Sequence, residues 1–349
     1  MCLRRESLPF APTMDIDFGV KVAVRWFLGW IAAAFLLVIF PLVVPCMVGF
    51  RKIRSAFTSS KTIRGNVVIV TGSSSGIGSF IALEYARYGA RLVLVARREN
   101  KLREVAEACL EAGAMDAAVC PADLTKECDC RRIVEFTVSR FGRVNVLVNN
   151  AGMAESGLFE DYETTGSFRQ TMDVDFLGAV LTTKHALEHL ARAKGQLVVV
   201  ASVAAYCPYP RQAPYNAAKA ALVQFFDTLR TEPIGRLIDI TIVMPGFVAS
   251  EMTAHAEGHI PWWWPMIPSG DAAKAVVDAS ISRKRHAIVP SWYSSWLPYR
   301  AFAPELMEWL PRATLVGKPP SIMVNRALNA ILGEELTSKL FRAIAALNF

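Results

Sequence analysis

The chain has 349 residues, 53% of them hydrophobic, and a formal net charge of +7 at pH 7. This length accommodates one large α/β domain with additions, or two smaller domains. The lysines and arginines form no run of the density that marks nucleic-acid binding, so nucleic acid is excluded as an expected partner. The hydrophobic share is high for a soluble protein, and much of the excess lies near the start of the chain.

Residues 26–50 contain no charged side chain, and about 20 such residues are enough to cross a bilayer. We therefore predict a membrane anchor here. Pro41 and Pro45 disfavour a straight helix, so a kinked single span and a hairpin within one leaflet both remain open. Basic charge is denser after the segment, at residues 51–54, than before it. The positive-inside rule therefore predicts that the rest of the chain lies in the cytosol.

The sequence VVIVTGSSSGIG at residues 67–78 predicts a buried strand, a glycine turn and the start of a helix. This arrangement points backbone N–H groups and a helix N-terminus at a phosphate. Gly72 permits the turn, Gly76 allows a pyrophosphate to approach, and Gly78 allows close packing of helix and strand. The same loop adds three further candidate cofactor contacts, Ser74, Ser75 and Ile77.

The second predicted strand, residues 92–95, ends in Arg97 and Arg98 rather than in an acidic residue. An acid at this position binds the ribose 2′-hydroxyl of NAD, whereas an arginine suits a 2′-phosphate. The sequence therefore predicts NADP(H), with Arg97 as the first candidate for the phosphate and Arg98 as the second. The alternative interpretation is that both are ordinary surface arginines.

Short apolar runs then alternate with helical patterns along the chain. Helices are predicted at residues 80–88, 100–114 and 131–141, and further strands at 117–120, 144–148, 197–200 and 238–243. The alternation predicts a Rossmann-type, doubly wound parallel sheet with helices on both faces. Asp123, next to Leu124, is expected either to cap the segment after the third strand or to accept a hydrogen bond from adenine.

Cysteine and histidine spacing predicts no metal site. The seven cysteines form no CxxC pair, and Cys128 and Cys130 lack both zinc-site spacing and a nearby histidine. His185 and His189 lie four residues apart on a predicted helix, but no third ligand is visible. We therefore expect free thiols in a reducing compartment.

Several landmarks recur in a fixed order, namely TGSSSGIG at 71–78, NNAG at 149–152, Ser202, Tyr215-x-x-x-Lys219 and Pro245-Gly246. Together they resemble the short-chain dehydrogenase/reductase family, over roughly residues 65–290. The resemblance implies a nicotinamide cofactor and a homodimer formed by the helices after NNAG and around Tyr215. It also implies cofactor contacts from Asn150, Ala151, Gly152, Pro245, Gly246 and Val248.

Within that family, residues 84–105 are most similar to hydroxysteroid dehydrogenases, among them the steroleosins of plant oil bodies and the 11-beta-hydroxysteroid dehydrogenases. Both groups carry an N-terminal apolar anchor, and Pro41 and Pro45 are similar to the proline knob of steroleosins. The resemblance implies a lipophilic, steroid-like substrate and a location in the endoplasmic reticulum membrane or on lipid droplets.

Tyr215, Lys219 and Ser202 are the predicted catalytic residues, and Asp175 is a fourth candidate. Tyr215 is the candidate acid and base, and the ammonium of Lys219 one helical turn away is expected to lower its pKa. Lys219 is also a candidate ligand of the nicotinamide ribose. Ser202 is expected to hydrogen-bond the substrate oxygen.

Asp175 departs from the family pattern, because the family usually has an asparagine at this position. The asparagine helps to hold a water that connects the lysine to solvent. A carboxylate near Lys219 is expected to stabilise its ammonium form. We therefore expect activity that persists but is weakened or shifted in its pH dependence.

The predicted organisation is an N-terminal region at 1–60, a dehydrogenase domain at 61–310 and a C-terminal helical extension at 311–349. Residues 247–270 are expected to form an apolar cover over the substrate, with little regular structure. An aromatic segment after it is expected to form a membrane-facing surface or a dimer contact, through Trp292, Tyr293, Trp296, Leu297, Tyr299, Phe302, Leu306 and Trp309.

These observations predict a membrane-anchored NADP(H)-dependent oxidoreductase that interconverts a secondary alcohol and a ketone on a hydroxysteroid-like substrate. Two alternatives remain open. The substrate could instead be a retinoid or a 3-ketosphingoid base. The chain could also be a catalytically weak lipid-droplet protein that binds lipid or NADP(H), an interpretation that only Asp175 favours.

Overall fold

A computed structural model describes residues 63–162, 164–254 and 265–311, together with residues 24, 26–31, 43 and 49. The chain divides into two compact units, Met1–Ser60 and Lys61–Phe349. In the first unit the described residues are helical. Most of the predicted anchor, and nearly all of the predicted C-terminal extension, therefore lie outside the described residues. Among the helices that are described, none combines the length and the apolar composition needed to cross a bilayer.

The second unit is built on a parallel sheet that has seven strands in the described part of the chain. These strands are β1 (Val67–Thr71), β2 (Arg91–Ala96), β3 (Asp116–Pro121), β4 (Val146–Asn149), β5 (Gln196–Val200), β6 (Asp239–Pro245) and β9 (His286–Val289). Two short strands pair separately, β7 (Val248–Ala249) and β8 (Ile267–Pro268). Strands β1, β2, β4 and β5 are buried on both faces, as their continuous apolar runs predict.

Helices connect these strands and cover the sheet. They are α1 (Gly76–Arg87), α2 (Glu99–Glu111), α3 (Glu127–Phe141), α4 (Gly166–Met172), α5 (Gly178–Arg192), α6 (Ala213–Leu229), α7 (Glu251–Ala254), α8 (Ser269–Ile281), α9 (Leu297–Phe302) and α10 (Pro304–Pro311). A π-helical turn, Asp173–Leu177, joins α4 to α5. Short 3₁₀ helices lie at Phe159–Asp161, Val203–Ala205, Ile234–Arg236 and Ser291–Trp296. Helices α1 and α3 begin four residues earlier than the sequence predicts. The residues of their first turns do not show the helical spacing of apolar side chains on which the prediction relies.

The strand order in the sheet is β3-β2-β1-β4-β5-β6-β9. From β1 the chain adds β2 and β3 on one side of the sheet. It then returns to add β4, β5, β6 and β9 on the other side. This reversal opens a crevice between the carboxyl ends of β1 and β4, which is where ligands bind in open α/β sheets. The predicted doubly wound fold is therefore confirmed.

Two apolar cores lie on opposite faces of the sheet. One is formed with α3, α5 and α6 and includes Ile133, Leu190 and Phe226. The other is formed with α1, α2 and α8 and includes Ile81 and Leu102. The sheet is therefore covered on both faces, as an all-parallel sheet requires.

The aromatic segment after β9 is only partly a surface, which corrects the prediction. Tyr293 is 1% exposed and packs directly against Gly246, where a Cβ atom would collide with the tyrosine ring. Phe302 and Trp309, in contrast, are exposed. The role of those exposed aromatic residues stays a prediction.

A buried chain of polar side chains lies on the face of the sheet that α1 and α8 cover, over strands β5 and β6. The Tyr85 hydroxyl donates to Ser280 Oγ at 2.7 Å, and Ser280 Oγ donates to Gln196 Oε1 at 2.9 Å. The Gln196 amide donates in turn to Thr241 Oγ1 at 2.9 Å. The network joins α1 and α8 to the two strands beneath them.

We predict that Ser280→Ala lowers the free energy of unfolding by about 1–3 kcal/mol, because it leaves buried polar groups of Tyr85 and Gln196 without a partner. Denaturant unfolding of the full chain measures this change. Ser282→Ala is the matched control, because Ser282 is exposed one residue beyond the same helix. Equal stability of the two variants would contradict the prediction.

Candidate active site

The glycine turn after β1 packs so tightly against the turn after β4 that side chains are excluded. Gly72 has φ of +67°, and a Cβ atom there would lie 2.7 Å from Ala151 Cα. A Cβ atom on Gly78 would collide with the carbonyl oxygen of Gly72. The two loops are also joined by hydrogen bonds, from Asn150 Nδ2 to the Thr71 carbonyl (3.0 Å) and from Asn150 N to Thr71 Oγ1 (3.0 Å).

The crevice beside this turn is a cavity of about 290 Å³. Its lining includes most of the predicted cofactor residues, namely Gly72, Ser74, Ser75, Gly76, Ile77, Gly78, Arg97, Arg98, Asp123, Leu124, Asn150, Ala151, Gly152, Tyr215 and Lys219. A glycine cradle at a helix N-terminus, bordered by two arginines, fits the diphosphate and the phosphorylated ribose of a dinucleotide. The residues present therefore fit a nicotinamide cofactor.

Three predicted cofactor residues do not line this cavity. Pro245 and Val248 are not among the residues that line this cavity, and Gly246 lines a neighbouring one. The Pro245 carbonyl instead accepts a hydrogen bond from Ser202 Oγ at 3.4 Å. The sequence places these residues at the end of β6 but does not show towards which cavity that strand end turns.

The two candidate arginines differ in their surroundings. Arg98 Nη2 donates to Ser75 Oγ at 2.7 Å and to Ser74 Oγ at 3.2 Å, so its guanidinium lies over the glycine turn. Arg97 also lines the cavity. Asp123 accepts hydrogen bonds from Thr125 N and Thr125 Oγ1, which is the capping role that the sequence allows for it.

The predicted catalytic side chains converge beside this cavity. Tyr215 and Lys219 lie one turn apart on α6, and Lys219 Nζ is 5.4 Å from the centre of the Tyr215 ring. Ser202 follows β5 and accepts a hydrogen bond from Ala204 N at 3.1 Å, which fixes its hydroxyl at the strand end. The structure thus brings together the three residues that the sequence identifies.

A second cavity of about 300 Å³ adjoins the first, and Tyr215 and Met252 line both. Ser202 lines only the second cavity, whereas Lys219 lines only the first. Phe247, Met252 and Thr253 also line the second cavity and belong to the predicted cover at residues 247–270, whereas Glu155, Ser156, Tyr209 and Gln212 were not identified as site residues from the sequence. Glu155 and Ser156 lie in the segment that follows β4, and Tyr209 and Gln212 in the segment that follows β5; the carboxyl ends of these strands are the signal that points to them.

Asp175 forms a buried ion pair with Lys219. Its Oδ2 atom is 3.0 Å from Lys219 Nζ, and its Oδ1 atom accepts a hydrogen bond from Met153 N at 2.7 Å. Asp175 is 0% exposed, and it belongs to the π-helical turn between α4 and α5. The expected proximity of this carboxylate to the catalytic lysine is therefore found in the structure.

The ion pair changes the acidity of the tyrosine. Burial raises the pKa of Tyr215, and the Asp175 carboxylate adds to the rise, whereas Lys219 and Ser202 oppose it. The net direction is upward because burial outweighs the lowering by Lys219, which itself acts in the direction that the sequence predicts. Although burial disfavours the Lys219 ammonium, the Asp175 carboxylate raises the pKa of Lys219. Burial also raises the pKa of Asp175.

Comparison with known proteins agrees with this geometry. The profile of the family described as short chain dehydrogenase matches residues 66–260. The chain belongs to the short-chain dehydrogenase family. It is therefore an oxidoreductase by family, and the resemblance noted from its motifs is confirmed.

This short-chain dehydrogenase is similar to curated plant proteins named 11-beta-hydroxysteroid dehydrogenase. The protein from Pinus massoniana is 42% identical over 264 residues, which are 72% of this chain and 74% of the relative. The protein named 11-beta-hydroxysteroid dehydrogenase A from Sesamum indicum is 41% identical over 273 residues, 74% of this chain and 78% of the relative.

Among solved structures, the dehydrogenase resembles an alcohol dehydrogenase from the archaeon Thermococcus sibiricus complexed with 5-hydroxy-NADP. The TM-score is 0.60 and the sequence identity 25%, and the match covers 66% of this chain and 98% of the other.

We predict that Asp175→Asn moves the acid limb of the pH–rate profile for alcohol oxidation to lower pH, by about one unit. Oxidation requires the deprotonated tyrosine. Removal of the carboxylate charge lowers the pKa of Tyr215, so the phenolate forms at lower pH. The amide oxygen can still accept the Met153 hydrogen bond.

Asp173→Asn is the matched control, because it removes the same charge from the same turn without touching Lys219. Its profile should coincide with that of the wild-type protein. A profile of Asp175→Asn that coincides with both would contradict the role assigned to the ion pair.

Proposed function

We propose that the chain is an NADP(H)-dependent oxidoreductase that interconverts a secondary alcohol and a ketone on a lipophilic, hydroxysteroid-like substrate. One observation carries the proposal, namely that Tyr215 lines both cavities. Its phenol therefore stands between a cofactor-shaped crevice that contains Lys219 and a second chamber that contains Ser202. A proton donor at that boundary is what reduction of a carbonyl by hydride transfer requires.

The protein supplies the proton and the geometry of the reaction. When bound, the nicotinamide donates or accepts the hydride. In reduction, Tyr215 donates its phenolic proton to the substrate oxygen, and in oxidation the phenolate removes the alcohol proton. Ser202 hydrogen-bonds the same oxygen and holds it against the tyrosine. The raised pKa of Tyr215 favours the protonated form at neutral pH, in which it can act as the acid.

Lys219 and Asp175 influence the reaction through their charges, which act on Tyr215. Lys219 favours the phenolate when Tyr215 has lost its proton, and its position on the cofactor side allows it to bond the nicotinamide ribose. Asp175 holds the ammonium in place and cancels part of its charge. Asp175 is therefore a positioning residue, with an effect on the pH dependence of the reaction.

The preference for NADP(H) rests on charge at the end of β2. Arg97 and Arg98 both line the cofactor cavity, and no acid ends that strand to accept a ribose 2′-hydroxyl. The structural relative from Thermococcus sibiricus, complexed with 5-hydroxy-NADP, is consistent with this preference.

The preference for a lipophilic substrate rests on the second cavity and on the relatives. Val203, Phe247 and Met252 supply apolar surface beside the catalytic hydroxyls. The plant relatives carry the name 11-beta-hydroxysteroid dehydrogenase. A steroid-like alcohol or ketone therefore fits the apolar lining of the second cavity and agrees with the name of the plant relatives.

Membrane attachment is the second part of the proposal. Residues 26–31 are helical, and Trp26, Phe27 and Trp30 are each more than 60% exposed. Water solvates such side chains poorly, whereas a bilayer or its interface accommodates them. The anchor would hold the enzyme on the endoplasmic reticulum membrane or on lipid droplets, with the catalytic unit in the cytosol and paired as a homodimer.

We expect Tyr215→Phe to lower kcat for a steroid alcohol with NADP⁺ by at least about a hundredfold, because the variant lacks the group that transfers the proton. A panel of steroid alcohols and ketones, assayed with NADP(H) and NAD(H), measures this loss. Cofactor affinity should change little.

Tyr88→Phe is the matched control, because Tyr88 is exposed at the end of α1. Activity retained by Tyr215→Phe would refute the catalytic assignment. Cofactor binding without turnover of any lipid alcohol or ketone would favour the lipid-binding alternative.

We predict that the full chain stays in the membrane fraction after extraction with alkaline carbonate, because residues 26–50 lack any charged side chain that would favour water. Immunoblots of the pellet and the supernatant measure this. The matched control replaces Ile31 and Val43 by lysine, which should shift the protein to the supernatant. Release of the unaltered chain by carbonate would contradict an integral anchor.

A further inference from the structure

An acidic side chain, that of Glu251, lines the cofactor cavity and pairs with Arg98. Glu251 is the first residue of α7, the short helix that follows β7. Its Oε2 atom lies 3.3 Å from Arg98 Nη2, and the carboxylate also accepts a hydrogen bond from Ser75. Glu251 and its partners all line the cofactor cavity. A segment from beyond β6 is thereby tied to the loops after β1 and β2.

The carboxylate stands where an anion of the cofactor is expected. Ser75 is the N-cap of α1, its side chain caps no backbone N–H of that helix, and the first turn of α1 carries no acid. This helix end is therefore suited to an external anion. A hydrogen bond from Ser75, and a second one from Arg98 with a smaller effect, lower the pKa of Glu251. Its carboxylate is therefore ionised at neutral pH.

We propose that Glu251 is a specificity-determining residue of the cofactor site, because its carboxylate competes with the ribose 2′-phosphate for Arg98. The inference rests on the proposed preference for NADP(H). Arg98 can bond Glu251 in the absence of a 2′-phosphate, but a phosphate that approaches Arg98 must displace the carboxylate or lie beside its charge. Affinity for phosphorylated cofactors is therefore lower than the arginines alone would allow, whereas a ribose with a free 2′-hydroxyl meets no such competition.

The magnitude of the effect depends on exposure. The side chains of Arg98 and Glu251 are 49% and 62% exposed, so solvent screens their attraction. We expect Glu251→Gln to tighten binding of adenosine 2′,5′-bisphosphate about threefold, with little change for adenosine 5′-monophosphate. The two probes differ only in the 2′-phosphate. The gain in affinity should shrink at high ionic strength, because salt screens the interactions of solvent-exposed charges.

The test is isothermal titration calorimetry on the full chain with these two probes, so it requires no turnover. Four proteins are compared, namely wild type, Glu251→Gln, Arg98→Gln and the double variant. If the carboxylate acts through Arg98, Glu251→Gln should bring a clearly smaller gain when Arg98 is already replaced.

Glu99→Gln is the matched control. Glu99 immediately follows Arg98 and is exposed, but its carboxylate pairs with Arg103 on α2 rather than with Arg98. The Glu99→Gln variant therefore removes one negative charge near Arg98 without removing a partner of Arg98. A gain equal to that of Glu251→Gln would show a general charge effect and would overturn the proposal.

Two further outcomes separate this inference from the proposed function. If wild type prefers the 2′-phosphorylated probe but Glu251→Gln changes neither affinity, the competition is refuted and the cofactor preference stands. If wild type binds both probes equally but Glu251→Gln tightens only the 2′-phosphorylated one, the competition stands and the proposed preference of the wild-type protein for NADP(H) fails.

Discussion

The buried ion pair between Lys219 and Asp175 is the interaction on which the arrangement of the site depends. It joins α6 to the π-helical turn before α5, and it lies directly beneath the turn after β4. A Cβ atom on Gly152 would lie 3.1 Å from both Lys219 Nζ and Asp175 Oδ2, so that turn packs onto the pair without a side chain. Loss of one partner of a buried pair leaves an uncompensated charge, which costs about 3–5 kcal/mol. The pair therefore constrains the backbone around the cofactor as well as the charge of the lysine.

The pair also explains why the tyrosine is less acidic than a tyrosine with a neighbouring lysine would suggest. In water, the charges of Asp175 and Lys219 would be screened, and each would act on Tyr215 weakly. In the structure this pair is buried, the carboxylate offsets the ammonium, and burial then dominates the pKa of the phenol. Electrostatic control of the reaction thus depends on a residue on a different helix from the one that carries Tyr215 and Lys219.

Much of the fold and the centre of the site could be predicted, because the signals are local. The apolar run of β1, its glycine turn and the four-residue spacing of Tyr215 and Lys219 are each contained in a few consecutive residues. The proximity of Asp175 to Lys219 followed only from a resemblance. The burial of Tyr293 could not be predicted, because nothing in the neighbouring sequence indicates that this tyrosine, unlike the exposed aromatic residues near it, packs against Gly246. The contact of Arg98 with Glu251 was not foreseen either, since 153 residues separate the two.

By itself the sequence determined the parallel sheet, the glycine cradle and the identity of the groups that can move a proton, because strand periodicity, turn chemistry and residue type are properties of short segments. Tertiary structure decided which of these groups meet. It set Tyr215 at the boundary of two cavities, raised the pKa of that tyrosine through burial, and placed Glu251 against Arg98. Desolvation and charge interactions depend on distances between segments far apart in the chain, and those distances exist only once the chain has folded.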